Sequence, residues 1–490
     1  MSGPFDLIVV GGGVNGAGIA RDAAGRGAKV LLLEAHDLAS GTSSKSTKLV
    51  HGGLRYLEYY EFGLVREALG ERATLWNIAP HIVWPMRFVL PVTSGMRPKW
   101  MLRAGLFLYD HIGGAGALPG AEAVELGQHS AGEHLRGPTK GAFEYSDCWV
   151  DDARLVVLNA VDAARMGTTI RTRTPVTAAW REGGLWHVEA GGETFAGKAL
   201  VNAAGPAVDD FAKLTGTRPD YDIRRVRGSH IVVPRQFAHD YSYILQLPDT
   251  RIVFVIPYEQ DFTLIGTTDA EHDGSLDQVE ASEREIDYLL TAFRGHFDLP
   301  LSRKDVVWTY AGVRALIDEG EDRPEAATRG YRITLSDPEE GAPLVGIYGG
   351  KITSYRAVAE EAVDELARRV DALTGEAWTA DTPLPGGDFP KTAQHLLVAE
   401  LAAEYPFLSG EDALRLTRAY GLDAVGWLGD AKTREDLGRD FGHGLSQAEV
   451  EYLRGEEFAQ TAEDVLWRRT KLGLHMSEDQ RAALAQYIGG

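Results

Sequence analysis

The order of apolar and polar positions near the start of the chain predicts a strand, a helix and a second strand. Leu7 to Val10 form the short apolar run that is typical of a buried parallel strand. Ala17 to Ala24 predict a helix lined with small residues, and Lys29 to Leu33 predict a second buried strand. Together these elements indicate a β-α-β unit of about thirty residues.

The turn between the first strand and the helix carries glycines at dinucleotide-binding spacing. Gly11, Gly13 and Gly16 follow the pattern G-x-G-x-x-G, and Glu34 ends the second strand. Such glycines make the tight turn, let the backbone approach a pyrophosphate and permit close packing of the helix, while the acid binds the ribose hydroxyls. The complete strand-helix-strand context argues against a purely structural turn. The motif itself does not distinguish NAD from FAD.

A polar segment, residues 37–58, follows Glu34 and is rich in hydroxyl, glycine and lysine residues. The residues alone leave two interpretations open, a flexible loop or a second segment that contacts the cofactor. In the second interpretation, backbone amides and hydroxyls reach the pyrophosphate and the flavin. The candidate contacts are then Thr42, Ser43, Ser46, Thr47, Lys48, His51 and Gly52.

Later periodicity predicts further helices and strands. We expect a helix over 61–78, strands broken by Pro85 and Pro91 over 82–92, and a helix over 355–374. Alternation and β-branched residues from Tyr221 onward predict an antiparallel sheet. A Pro/Gly-rich boundary at 382–387 precedes a helical lobe with no recognisable catalytic constellation, whose Trp467 to Lys471 run we expect to be a surface or interface patch.

Two later strand ends predict further contacts with the cofactor. One is the end of a buried strand at Ala204 and Gly205, where a plain turn is the alternative. The other is a strand-to-helix turn at Gly350, Lys351, Ile352 and Thr353, which offers another helix N terminus to an anion. We also expect Val176 to contact the cofactor.

Composition narrows the function classes. Acidic residues outnumber basic ones by 71 to 50, so the formal net charge is -21, which argues against a nucleic-acid partner. Cys148 is the one cysteine in the sequence, so neither a disulfide nor a thiolate metal cluster is expected, and no metal site is predicted. We see no secretory signal and no apolar run long enough to span a bilayer. Residues 96–109 are basic and rich in Trp, Met, Leu and Phe. This composition suits either a helix that lies in a membrane interface or a helix packed inside a domain that caps the substrate site.

Several blocks of the sequence resemble FAD-dependent, quinone-linked, aerobic glycerol-3-phosphate dehydrogenases. The resemblance covers essentially the whole chain, and the blocks that carry it are LIVVGGGVNGAGIARDAAGRG, TSSKSTKLVHGGLRYLEYYEFGLVREAL, FEYSDCWVDDARLV, GSHIVVP, RIVFVIPY, IGTTD, VWTYAGVRAL and GGKITSYR. It implies an α/β fold with an FAD-binding Rossmann-type domain, an antiparallel-sheet substrate cap and a C-terminal helical domain. We expect the FAD-binding domain at 1–75, 150–222 and 305–380, the cap at 76–149 and 223–304, and the helical domain at 385–490.

The resemblance also implies a reaction, in which sn-glycerol 3-phosphate is oxidised to dihydroxyacetone phosphate by hydride transfer from C2 to non-covalent FAD. An acidic protein needs a local cationic pocket for a phosphate ester, and arginine suits phosphate oxygens bidentately. The substrate-binding candidates are Arg55, Tyr56, Arg314, Arg329 and Lys351. Among these, Arg314 and Lys351 are also catalytic candidates. His230 is the preferred base and His51 the alternative.

The expected partners follow from the same resemblance: a quinone as electron acceptor, the inner membrane surface for a cytoplasmic peripheral protein, and a second copy in a homodimer. Three rival functions remain open at this point. They are an oxidase that passes electrons to oxygen, an amine-type flavin oxidase, and a non-catalytic flavin-binding or tRNA-modifying factor, against which the net charge argues.

Overall fold

The computed structural model describes residues 3–93, 97–112, 118–137, 141–249, 251–318, 330–336 and 341–489. The strands in chain order are β1 Leu7–Val10, β2 Val30–Leu33, β3 Leu49–Val50, β4 Val83–Pro91, β5 Glu122–Val124, β6 Ala142–Val150, β7 Thr169–Arg171, β8 Val176–Glu182, β9 Leu185–Ala190, β10 Glu193–Gly197, β11 Leu200–Asn202, β12 Ile223–Pro234, β13 Ser242–Gln246, β14 Ile252–Tyr258, β15 Phe262–Gly266, β16 Ala270–Glu271, β17 Trp308–Ile317, β18 Tyr331–Ser336 and β19 Leu344–Gly349. The helices are α1 Val14–Gly25, α2 Phe62–Ile78, α3 Lys99–Ile112, α4 Asp152–Arg165, α5 Val208–Leu214, α6 Glu283–His296, α7 Tyr355–Ala367, α8 Gln394–Glu404, α9 Gly410–Tyr420, α10 Ala424–Leu428, α11 Gln447–Gly455 and α12 Glu478–Gly489.

The first sheet is the predicted nucleotide-binding sheet, in the order β18-β19-β11-β1-β2-β7. Its strands from β19 to β7 run parallel, and β18 is antiparallel at the edge. Helices α1, α4 and α7 cover one face, and the small β8-β9-β10 sheet covers the other. Both faces are therefore buried, which explains why β1 and β2 are continuous apolar runs rather than alternating ones.

The second large sheet is mainly antiparallel, as the alternation after Tyr221 predicts. Its order is β16-β12-β15-β14-β13-β4-β6-β3, with β17 paired to β12 and β5 paired to β6. β17 pairs with β12 along its whole length, from Ile317 opposite Ile223 to Trp308 opposite Val232. The predicted boundary at 305 assigns this strand to the FAD-binding domain. Its backbone hydrogen bonds instead join it to β12 of this second sheet, here called the cap sheet.

Two predicted element bounds are wrong. Residues 83–91 form one strand, β4, rather than strands broken by proline, because β13 pairs only with Phe88 and Val89 and leaves Pro85 on an unpaired edge. The helix predicted to reach residue 374 ends at Ala367.

The C-terminal helices α8 to α12 surround a core of their own. A π-helical turn, Asp464–Arg469, lies among these helices. Of the helices in the described ranges, none combines the length and hydropathy that a bilayer span requires.

Helix α6 is attached to the cap sheet through Glu285. Its carboxylate accepts hydrogen bonds from the backbone and side chain of Ser282 in a capping box, and from Ser229 and Thr268 of the sheet region. Burial by itself raises the pKa of Glu285, but these donors and Arg227 hold it at about 2. The buried carboxylate is therefore charged, because the fold supplies it with hydrogen-bond donors and a cation.

Glu285→Gln should lower the free energy of unfolding by about 2 kcal/mol at pH 7, because the charged acceptor is lost. Since the folded pKa lies below the ordinary value of 4.5, this contribution is present above pH 4.5 and is lost as the pH falls toward 2. Denaturant melts of both proteins between pH 3 and 7 measure the difference. The exposed neighbour Glu283 supplies the control, since Glu283→Gln should cost less than about 1 kcal/mol. A difference that does not change with pH would contradict this account.

Candidate active site

The turn over residues 11–16, here called the glycine turn, brings backbone into direct contact with backbone. A Cβ atom at Gly11 (φ +112°) would lie 2.4 Å from the carbonyl oxygen of Ala203, and one at Gly16 would lie 1.8 Å from that of Gly11. A Cβ at Gly18 would lie 2.8 Å from the ring of Tyr355 on α7. Glycine is therefore required for strand β1, strand β11 and helix α1 to meet here.

Glu34 lies against the glycine turn, as predicted. Its Oε2 atom accepts from the Gly12 amide at 2.6 Å, and its Oε1 atom accepts from the His36 amide at 2.8 Å. Burial raises the pKa of Glu34 above its ordinary value, and these two amides act in the opposite direction. The half-buried N terminus of α1 lies beside it, where the Val14 amide donates to Ser43 Oγ at 2.9 Å. A carboxylate and a helix N terminus beside a glycine turn fit the ribose and pyrophosphate of a dinucleotide.

The polar segment 37–58 is held in place by specific hydrogen bonds, which favours the cofactor-contacting interpretation over the flexible loop. Thr42 donates to the carbonyl of Val313 at 2.6 Å. Asp152, at the start of α4, accepts from Ser46 Oγ and from Lys48 Nζ, each at 2.7 Å. The Lys48 side chain is fully buried. An ionic contact of this kind fixes the segment beside the glycine turn.

The second predicted helix N terminus lies next to the first. Gly349 and Gly350 have φ of +73° and +94°, and a 3₁₀ turn, Ile352–Ser354, then leads into α7. A Cβ at Gly350 would lie 3.7 Å from Asn15 Nδ2 on α1, and the Thr353 hydroxyl accepts from the His51 amide at 3.4 Å. The structure therefore brings the glycine turn, the polar segment and this turn together.

His230 lies at the centre of a row that crosses the cap sheet. It is directly opposite Tyr310 on one side and Gly266 on the other, and Gly266 is in turn opposite Phe254. The imidazole stacks on Tyr310 with ring centroids 4.6 Å apart, and its Nε2 lies 3.0 Å from the Thr47 hydroxyl. Its Nδ1 has no hydrogen-bond partner among the described residues.

The electrostatic surroundings keep His230 neutral. Burial lowers its pKa well below the ordinary 6.5, and the charges of Arg314 and Lys48 lower it further. Burial also lowers the pKa of Lys45, on the same polar segment, to about 8. A neutral imidazole has a lone pair available and can accept a proton.

The two cations that were predicted to be catalytic, Arg314 and Lys351, lie on neighbouring elements. Arg314 donates to Asp269 Oδ1 at 2.5 Å and to Thr267 Oγ1 at 2.9 Å, and its charge reaches His230. Lys351 Nζ lies 3.8 Å from the ring centroid of Tyr56. Strands β17 and β19 meet between them, since a Cβ at Gly349 would lie 3.6 Å from the carbonyl oxygen of Ala315.

The remaining predicted residues fall into two groups. Ala204 is the second residue after β11 and lies at the glycine turn, with its Cα 3.2 Å from the Cβ position of Gly11. A Cβ at Gly205 would have no atom within 4 Å. Val176 begins β8, two residues after Thr174 donates to the Glu34 carbonyl at 2.8 Å. The side chain of Arg55 and the whole of Arg329 lie outside the described residues.

Sequence reasoning did not single out three residues that organise the site. They are Tyr310, whose hydroxyl donates to the Ser46 carbonyl at 2.9 Å, Asp152, which holds the polar segment, and Thr267, which holds Arg314. All three lie within the sequence blocks that carry the family resemblance, and this position was the signal by which sequence reasoning could have found them.

Comparisons with known proteins agree with this geometry. A family profile described as FAD dependent oxidoreductase matches residues 6–356, and one described as C-terminal domain of alpha-glycerophosphate oxidase matches residues 377–489. The chain is 49% identical over 490 residues to the aerobic glycerol-3-phosphate dehydrogenase of Escherichia coli K12, covering 99% of this chain and 97% of that protein. It is also 49% identical over 490 residues to the D-erythritol 1-phosphate dehydrogenase of Brucella abortus, with the same coverage of 99% and 97%.

A solved structure extends the agreement to the fold. The glycerol-3-phosphate dehydrogenase from Bacillus halodurans complexed with FAD superposes with a TM-score of 0.77 at 26% identity, covering 99% of this chain and 94% of that chain. The predicted fold class and the predicted FAD cofactor are thus confirmed. The chain belongs to the FAD-dependent oxidoreductases, in the group that includes the aerobic glycerol-3-phosphate dehydrogenases.

Proposed function

We propose that this flavoenzyme oxidises sn-glycerol 3-phosphate to dihydroxyacetone phosphate. The observation that carries the proposal is a pair of cations on adjoining elements, Arg314 and Lys351, in a chain of net charge -21. Of the two, Arg314 lies close enough to the buried His230 to lower its pKa. Cations concentrated at one site suit a phosphate dianion. The names of the relatives in Escherichia coli and Brucella abortus support a phosphorylated polyol, so erythritol 1-phosphate is the second candidate substrate.

We assign the binding roles as follows. Arg314 is already oriented by Asp269 and Thr267, so its guanidinium needs little reordering to contact phosphate or a substrate hydroxyl. Lys351 and Tyr56 form the opposite side, and Arg55 and Arg329 complete the proposed cationic set. Bound FAD supplies the two-electron acceptor for the hydride that leaves C2. His230 accepts the hydroxyl proton at Nδ1, and Lys351 polarises the same hydroxyl.

Arg314→Ala should raise the KM for glycerol 3-phosphate at least about tenfold, because a charge-assisted contact to the phosphate is lost. FAD should remain bound. Steady-state kinetics with glycerol 3-phosphate, erythritol 1-phosphate and unphosphorylated glycerol would also show the variant losing its preference for phosphate. Arg251→Ala, at an arginine of the same sheet paired with Asp249, is the control and should leave the KM unchanged. An unchanged KM in Arg314→Ala, or reduction of the flavin by glycine or sarcosine alone, would contradict the proposal.

His230→Asn should lower kcat by about 10²–10⁴-fold, as expected for loss of a general base, with FAD still bound. Because its pKa lies well below 6.5, the wild-type imidazole stays neutral at pH 7, and the rate should stay constant through pH 6.5 and fall only at a pH well below 6.5, where the imidazole becomes protonated. The pH profile of anaerobic flavin reduction measures this. An acid limb that survives in His230→Asn would assign the base elsewhere, His51 being the alternative.

We further propose that electrons pass to a membrane quinone and that helix α3 attaches the protein to an anionic bilayer. One side of α3 packs on the cap through Leu106 and Tyr109. Its outward side, here called the α3 face, carries Trp100, Arg103, Phe107 and Leu108, of which Trp100 is 69% and Phe107 63% exposed. Large apolar side chains beside basic ones are what a lipid interface binds, and in an acidic chain the local positive charge favours anionic lipid.

Replacing Trp100 and Phe107 together by serine should weaken binding to phosphatidylglycerol vesicles at least about tenfold, because burying one such ring contributes about 2 kcal/mol. Turnover with a long-chain quinone in those vesicles should fall, while turnover with a soluble electron acceptor should not. Trp180→Ser with Leu396→Ser, two exposed apolar residues elsewhere, is the matched control. Vesicle binding that the first pair leaves unchanged would contradict the α3 assignment, and faster reoxidation by oxygen than by quinone would favour an oxidase.

We also propose a homodimer, the assembly expected for the family. Its mass would be twice the 53.4 kDa of the chain, which light scattering measures directly.

A further inference from the structure

We propose that Arg469, in the C-terminal helical domain, is a positioning residue for FAD. It holds Asp37 at the start of the polar segment, and through Asp37 it holds the glycine turn in its binding shape. The inference concerns the cofactor and does not depend on the identity of the substrate.

The contact between Arg469 and Asp37 is a bidentate ion pair that is completely withdrawn from solvent. Arg469 Nη1 lies 2.8 Å from Asp37 Oδ2, and Nη2 lies 2.9 Å from Oδ1. The two side chains are 0% and 1% exposed. The same guanidinium donates to the Glu457 carbonyl at 2.7 Å, and Arg468 Nε adds a second donor to Asp37 at 2.5 Å. Two arginines therefore bind one buried carboxylate, which fixes the position of Asp37 more tightly than a solvent-exposed ion pair between domains would.

Asp37 is connected to the glycine turn by a short piece of backbone. Two residues later, the Ala39 amide donates to the Gly12 carbonyl at 3.0 Å. Between them, a Leu38 methyl group lies 3.0 Å from the Cβ position of Gly12, and Glu34 accepts from the Gly12 amide. A displacement of Asp37 therefore moves groups that contact Gly12 from both sides.

The C-terminal domain also contacts the start of α4, which holds the middle of the same segment. Lys471 Nζ lies 3.3 Å from Asp151 Oδ1, and the next residue, Asp152, accepts from Ser46 and Lys48. Lys471 is 2% exposed. The run that we expected to be a surface or interface patch is thus a buried interface. Its arginines contact the start of the polar segment, and Lys471 contacts the neighbour of Asp152, the residue that holds the middle of the segment.

The test is the rate of FAD release from the holoenzyme, followed by flavin fluorescence after dilution, with thermal melting of the same samples. Arg469→Gln and Asp37→Asn should each release FAD at least about tenfold faster, since a charge-assisted contact is lost. The double variant should release it no faster than either single one, because both act on one pair. Arg469→Lys keeps the positive charge but not the two parallel hydrogen bonds of the guanidinium, so it should release FAD faster than wild type and more slowly than Arg469→Gln.

Arg415→Gln is the matched control. Arg415 forms a part-buried bidentate pair with Glu449 at 2.6 and 2.8 Å, entirely within the C-terminal domain. The Arg415→Gln substitution should lower the melting temperature and leave the rate of FAD release within about twofold of the wild-type rate. Equal acceleration in Arg415→Gln and Arg469→Gln, or additive effects in the double variant, would overturn the proposal. If Arg469→Gln does not fold, the nearly isosteric Asp37→Asn decides the same question.

Discussion

At the glycine turn backbone segments approach so closely that neither Gly11 nor Gly16 can be replaced by a residue with a side chain. The carbonyl of Ala203 and the carbonyl of Gly11 occupy the positions that Cβ atoms would need at Gly11 and Gly16. This contact sets the separation of strands β1 and β11 and points the N terminus of α1 out of the sheet. Glu34, the polar segment and the turn before α7 all lie against it. The positions of the elements around the candidate cofactor site therefore depend on the close backbone contact at Gly11 and Gly16.

Around that contact the protein buries an unusual amount of charge. Lys48, Arg154 and Arg469 are each at most 1% exposed, and each is paired with a carboxylate of another segment. Isolated buried charges are costly, so these pairs favour one arrangement of the segments over others. The start of α4 is the meeting point, because Asp151, Asp152 and Arg154 contact the polar segment and the C-terminal domain within one helical turn.

One of these cations, Lys48, also acts on His230. Lys48 and Arg314, together with burial, keep this imidazole neutral, while Tyr310 and Thr47 fix the orientation of its ring. The nearby positive charges also favour the binding of an anion. Lys48 therefore takes part in two arrangements, because its ion pair with Asp152 holds the polar segment and its charge lowers the pKa of His230.

The sequence by itself determined the local elements of this protein: β1, α1 and β2 with their glycines, Glu34 and the helical C-terminal lobe. Those follow from periodicity and from residues with strong local preferences. It did not determine that β17 joins the cap sheet, since a strand's partner is chosen by non-local pairing. Nor did it decide which side of α3 faces outward, or that Arg468 and Arg469 meet a carboxylate more than 400 residues away. Only the tertiary structure decided these, because packing and burial, unlike local propensity, depend on segments that are distant in the chain.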